Sequence, residues 1–322
     1  MANRAAILRW TGRGSLTRLR SSVEHVLGEK RLKGRVERTG SSLVVECPEP
    51  VEMCLALEFM PGVAWGAVGY TAEGLGEMAK ASSALAARYL RRGSKFSVWA
   101  EAKKGLPSSD LAGVVTSAML ERAKGARVDG RSPKVRFRAA IDGPRGAVGV
   151  EIVAGPGGVP TGSEEVAVLV SGGIHSSVVA WNAALSGFRV RLIHARSDEP
   201  GLHAAAKLYS ELSNRMDPRG IALTVLEGGP AGGLLAKFAA RSKTPVFGGF
   251  TVERPEPSSL RGKVGAPLYL MAEDEFAAQF ESLRLKNHAG YTDWKTGTAS
   301  QIRARSFGGK SADVSGVLDG LE

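Results

Sequence analysis

The chain has 322 residues, of which 43% are hydrophobic and 23% charged, a balance that suits two or three folded domains and excludes disorder over most of its length. No apolar run reaches the roughly 18 residues of a membrane span, and the arginine-rich start has no apolar core like that of a secretion signal, so a cytoplasmic protein with no membrane partner is expected. The formal charge of +11 is uneven: residues 1–163 hold 25 Lys and Arg against 15 Asp and Glu, whereas residues 164–322 hold 18 against 17.

A basic front half joined to a nearly neutral rear half points to a polyanion bound by the front. The two cysteines, Cys47 and Cys54, exclude a disulfide framework. No metal cluster is expected, and the rest of this chain offers no thiolate for a sulfur relay.

In chain order, residues 5–10 predict a strand and a Gly-rich turn at Gly12 and Gly14. Leu16, Leu19, Val23, Val26 and Leu27 then recur at helical spacing. Strands are expected over 34–38 and 42–46 and a helix over 51–59, closing an α+β unit of about 70 residues. A second unit follows, with helices over 75–90 and 109–123 and strands over 95–100, 135–140 and 147–153, the last two joined by the turn Asp142-Gly143-Pro144. The Gly- and Pro-rich run 155–165 breaks all periodicity and predicts a linker.

Beyond it, strands over 166–170, 189–194, 221–226 and 246–250 alternate with helices over 176–185, 201–213 and 234–241. Uninterrupted apolar strands alternating with helices predict a parallel sheet covered on both faces. The run Glu227 to Gly233 is too rich in glycine to be read as helix. Residues 287–322 are polar with little periodicity and predict a poorly ordered tail.

One segment carries a chemical signal. Val168-Leu169-Val170 runs through Ser171-Gly172-Gly173 into a helix containing His175, Ser176 and Ser177. Glycines that admit close backbone approach, hydroxyls and free amides at a helix start are the parts of an anion site. An ordinary tight turn with a serine cap is the plainer reading. The loop is not a Walker A motif, because no Gly-Lys-Ser/Thr follows.

This loop resembles the PP-loop of ATP pyrophosphatases, Ser-Gly-Gly-x-Asp-Ser. The preceding Gly155 to Gly162 is similar to the stretch before that loop in tRNA 4-thiouridine synthases, the ThiI-like proteins. Upstream, Phe59-Met60-Pro61-Gly62-Val63 resembles the turn that leads into their THUMP domain. Lys95 to Val98, Lys103 to Ser109 and Val148 to Ile152 resemble that domain's basic strand, Pro-x-x-Ser turn and closing strand.

The resemblance implies an α/β protein of three parts: a ferredoxin-like N-terminal domain over 1–70, a THUMP domain over 71–154, and, after the linker 155–165, a parallel-sheet PP-loop domain of Rossmann-like type over 166–286. It implies tRNA as partner, gripped through Arg13, Lys95, Lys103 and Lys104. It implies ATP with Mg2+ at Val168, Leu169, Ser171, Gly172, Gly173, His175, Ser176, Ser177, His194, Ala195 and Gly249, the backbone at Val168, Leu169, His194 and Ala195 meeting adenine. The activity implied is adenylation of a tRNA uridine followed by sulfur transfer.

The chain departs from that pattern at several points. His175 stands where the family has aspartate, and imidazole is a poor substitute for a carboxylate beside a hard cation. Gly248 and Phe250 replace the threonine and glutamate around Gly249, and no cysteine follows Cys54. These departures predict reduced or lost catalysis, with sulfur coming from a separate donor. The alternative is a non-catalytic tRNA-binding adaptor working with a separate catalytic subunit. Homodimerisation is left open, as is a third reading, a PP-loop protein acting on a small molecule.

Overall fold

The computed structural model describes residues 3–103, 105–171, 173–250, 256–268 and 305–307. The chain folds as two compact units, Met1–Pro160 and Thr161–Glu322. The expected tail over 287–322 lies outside the described residues apart from one short strand named below.

Unit one is built on a single mixed sheet of eight strands: β1 (Arg4–Trp10), β2 (Arg35–Thr39), β3 (Ser42–Glu46), β4 (Val63–Glu73), β5 (Lys95–Lys103), β6 (Arg127–Val128), β7 (Val135–Asp142) and β8 (Arg145–Ala154). Their order across the sheet is β2-β3-β1-β4-β8-β7-β5-β6. Four helices pack on the sheet: α1 (Leu16–Glu29), α2 (Pro50–Ala56), α3 (Gly74–Tyr89) and α4 (Ser108–Arg122). Helix α1 starts where the Ser15 hydroxyl accepts from the Arg18 amide and buries Leu16, Leu19, Val23, Val26 and Leu27, the apolar stripe its spacing predicts. Leu111, Val115 and Met119 of α4 do the same one helical turn apart.

These stripes meet alternate residues of the strands, among them Leu8, Val68, Phe96, Phe137 and Val148, in one continuous core. Phe96 and Phe137 pack edge to face at 5.9 Å. The residues pointing the other way are not left open. Ala5, Ile7, Val44, Ala67 and Ala147 form a second, small core, and each is at most 3% exposed. The sheet closes over them by coiling, so that Arg145 of β8 reaches Glu37 of β2 at 2.9 Å and Arg9 of β1 pairs with Glu101 of β5.

Like the two-residue β6, the longest described strand, β4, has no counterpart among the predicted elements. Its residues, VAWGAVGYTAE, are mostly small and show no clean alternation, because both faces are buried and the coil leaves little room on either. It pairs with β1 and with β8 and so runs across the boundary expected at residue 70. The Gly- and Pro-rich run after β8 is docked rather than loose. The Gly62 amide donates to Gly157 O at 2.7 Å, and a Cβ at Gly62 (φ +93°) would lie 2.5 Å from the Pro160 ring, so only glycine fits there.

Unit two contains the expected parallel sheet, β9 (Glu165–Leu169), β10 (Arg189–Ala195), β11 (Ile221–Leu226) and β13 (Val246–Gly248), in the order β11-β10-β9-β13. Its helices are α5 (Ile174–Leu185), α6 (Glu199–Arg215) and α7 (Ala231–Arg241). Leu202 of α6 packs with Val225. Ala167, Leu169, Ile193 and Ala195, on the opposite face, pack with Leu234 of α7. A two-residue strand β12 (Gly228–Gly229) pairs with β14 (Arg305–Phe307).

Two expectations are corrected here. Helix α7 begins at Ala231 and takes Gly232 and Gly233 into its first turn, against the expectation that this run is too glycine-rich for helix. A terminal turn has no complete set of intrahelical bonds to lose, and burial of Ala231 and Leu234 outweighs the propensity cost. The last parallel strand stops at Gly248 rather than running to 250, because the Phe250 ring folds back over it: a Cβ at Gly248 would lie 2.2 Å from Phe250 Cε2.

Candidate nucleotide crevice and nucleic-acid interface

The central strand β9 is flanked by β10 on one side and β13 on the other, so the loops that follow β9 and β13 diverge at the carboxyl end of the sheet. Such a switch point is where open parallel sheets place their ligand crevice. Val168 and Leu169, on β9, are buried in the strand, and Ala195 is buried at the end of β10. Ser171 is exposed in the loop, Gly173 is the N-cap of α5, and Gly172 lies outside the described residues.

Two of the three hydroxyls expected to meet phosphate, those of Ser176 and Ser177, are turned elsewhere. Ser176 Oγ donates to Gly173 O at 2.9 Å and Ser177 Oγ donates to the same carbonyl at 3.0 Å. His175, Ser176 and Ser177 are all buried. The loop after β13 lies against this first turn: a Cβ at Gly249 would sit 2.7 Å from both the His175 carbonyl carbon and the Ser176 amide nitrogen. Gly249 is therefore brought to the predicted loop, but it covers the helix start.

His194, at the end of β10, is 3% exposed. Its Nδ1 lies 3.0 Å from Val170 O, an arrangement in which a neutral ring donates, while Nε2 is buried with no hydrogen-bond partner. Burial holds its pKa below the ordinary histidine value; the Val170 carbonyl and the Asp198 charge oppose that shift, and Arg196 adds to it.

Beside it, at the carboxyl ends of β10 and β11, lies a cavity of about 580 Å3 lined by Arg196, Ser197, Asp198, Glu199, Glu227 and Gly228. Asp198 caps α6 by accepting from the Gly201 amide at 2.7 Å. Arg196 bonds Glu227 at 2.7 Å and also pairs with Glu199. Among the described residues no group of three or more His, Cys, Asp or Glu could hold a metal ion. No described helix is long and apolar enough to cross a membrane.

Of the basic residues expected to grip RNA, Lys95 and Lys103 lie at opposite ends of one strand, β5, roughly 26 Å apart at the ordinary rise per residue. Arg13 is exposed in the turn after β1, and Lys104 lies outside the described residues. Four bonds, Gly93 N to Gly125 O, Arg127 N to Ser94 O, Asp129 N to Phe96 O and Lys134 N to Lys95 O, instead draw residues 91–95, 122–128 and 129–136 together around Lys95. Arg92, Lys95, Lys124, Arg127, Arg131 and Lys134 are all exposed there.

Within this margin Lys95 pairs with Asp129 at 3.0 Å. The Ser132 amide, the Lys95 ammonium and the Arg131 amide hold the Asp129 carboxyl down at about 2. The signal for this cluster stands in the sequence, where Arg122 to Arg138 carries seven basic residues and one acidic residue, but only the topology shows that Lys95 joins it.

The chain thus carries an eight-stranded mixed sheet and, after it in sequence, a parallel sheet with a crevice at its switch point. In sequence the chain is 42% identical over 73 residues to a tRNA sulfurtransferase of Pyrobaculum aerophilum, covering 22% of this chain and 15% of that protein. It is 31% identical over 153 residues to the tRNA sulfurtransferase of Desulfurococcus amylolyticus, covering 45% and 31%. The chain thus spans less than half the length of these relatives.

In fold it is similar to PH1313 from Pyrococcus horikoshii, with a TM-score of 0.71, 17% identity, and 88% of this chain and 100% of that one covered. It is also similar to a 4-thiouridine synthetase in complex with RNA and bound ATP, with a TM-score of 0.69, 17% identity, and 99% and 94% covered. No protein-family model matches the chain.

Proposed function

We propose that this chain is a tRNA-binding protein, in which residues 1–70 act as a ferredoxin-like domain, 71–154 as a THUMP domain that holds RNA, and 166–286 as a PP-loop-like domain. The observation that carries the reading is the cationic margin around Lys95, because neutralisation of phosphates by Lys and Arg supplies most of the affinity of a protein for nucleic acid. The relatives named as tRNA sulfurtransferases support tRNA as the form of RNA.

For chemistry, the adaptor role is the better supported of the two expected. Sulfur transfer needs a reactive thiolate, and the only two thiols of the chain are buried in unit one. Burial pushes Cys54 up to about 12, far from thiolate at neutral pH. In this reading the chain presents tRNA to a separate catalytic subunit. Modification by the chain itself would need a sulfur donor from outside it.

The test is a triple variant, Arg127→Ala, Arg131→Ala and Lys134→Ala, compared with wild type for tRNA binding across a salt series. Loss of about three phosphate contacts predicts affinity at least about tenfold weaker at low salt and a salt slope reduced by roughly 3. Unchanged affinity and slope would remove this margin from the interface.

A further inference from the structure

ATP is the ligand that the PP-loop resemblance implies, and the residues of the crevice do not fit it. We propose that the crevice of unit two has lost its nucleoside triphosphate site: its anion cradle is closed from within and its open cavity repels polyanions. This inference is independent of the tRNA-binding reading.

Closure rests on two contacts. An anion at a helix start is held by amides and hydroxyls that face it, but both serine hydroxyls of the first turn donate to Gly173 O and are at most 5% exposed. Gly249 occupies the approach to the same turn, with no space for even a Cβ between it and the Ser176 amide. Phosphate oxygens could reach these groups only after the loop behind β13 moved away and two internal hydrogen bonds broke.

Charge acts in the same direction in the neighbouring cavity. Its lining carries three carboxylates, Asp198, Glu199 and Glu227, against one guanidinium. That guanidinium is already committed, since Arg196 bonds both Glu227 and Glu199, and those two hydrogen bonds raise its pKa. A triphosphate placed here would meet net negative charge with its nearest cation neutralised, and like charges at this range repel.

The experiment is calorimetric titration of ATP with Mg2+ into the full chain, with tRNA binding measured on the same preparation. Absence of saturable ATP binding tighter than a Kd of about 1 mM, while tRNA binds, is the expected result. Saturable binding below that value would overturn the proposal whatever the tRNA result. Failure to bind tRNA would count against the proposed function alone. His175→Asp restores the carboxylate of the family's loop and sharpens the test: the closed cradle predicts that it still binds no ATP, and saturable ATP binding in this variant would put the defect in one side chain and overturn the closure.

Discussion

His194 is a buried base whose neutral form is the one that the fold selects. Its pKa lies below the ordinary value of 6.5 because burial disfavours the imidazolium. As pH falls below about 6.5 the unfolded chain therefore binds a proton that the folded chain resists, and stability falls. Above that pH both states are neutral and the residue makes no contribution to the slope. The unfolding midpoint in denaturant should drop between pH 7 and pH 5, and His194→Phe should flatten that drop; an unchanged slope would show that the imidazole is not held neutral. Cys54 is a second residue-scale case. Its thiol is fully buried and donates to Ala67 O at 3.4 Å, so a thiol reagent at pH 8 should modify it only on unfolding. Rapid labelling of the native chain at Cys54 would contradict the assigned inertness.

At the scale of elements, the coiled sheet and the turn over α5 make the strongest demands on sequence. Ile7 lies on the face of β1 that no helix covers, yet it is 1% exposed because β2 folds back toward β8. Ile7→Ala should then cost about 2–5 kcal/mol in chemical denaturation, as for any core truncation; a cost near zero would mean that this face is open to water. In unit two, Gly249→Val should destabilise by about 1–3 kcal/mol through overpacking against the first turn of α5, and a neutral effect would contradict the close approach there. The helices and parallel strands were legible because their apolar residues repeat at 3.6 or run unbroken. Strand β4 was not, since coiling of the sheet calls for alanine and glycine where a flat sheet would show valine and isoleucine. The start of α7 was missed for the opposite reason, tertiary burial outweighing a local preference. The loop Ser171 to Ser177 was legible as an anion motif by residue type, but the direction of its hydroxyls depends on packing that no local pattern reports.

For the molecule as a whole, the uneven charge seen in the sequence becomes a located surface. The excess of Lys and Arg in residues 1–163 includes an exposed margin where β5, β6 and the segment before β7 meet, and this margin is the physical basis of the proposed RNA binding. The most direct measurement is the affinity of the intact chain for tRNA between about 50 and 200 mM salt, where contacts to 6–10 phosphates lower binding by roughly 10³–10⁵. The account predicts a steep linear fall of log affinity with log salt. A flat response would contradict it, because a protein that holds tRNA without releasing counterions does not use the cationic margin.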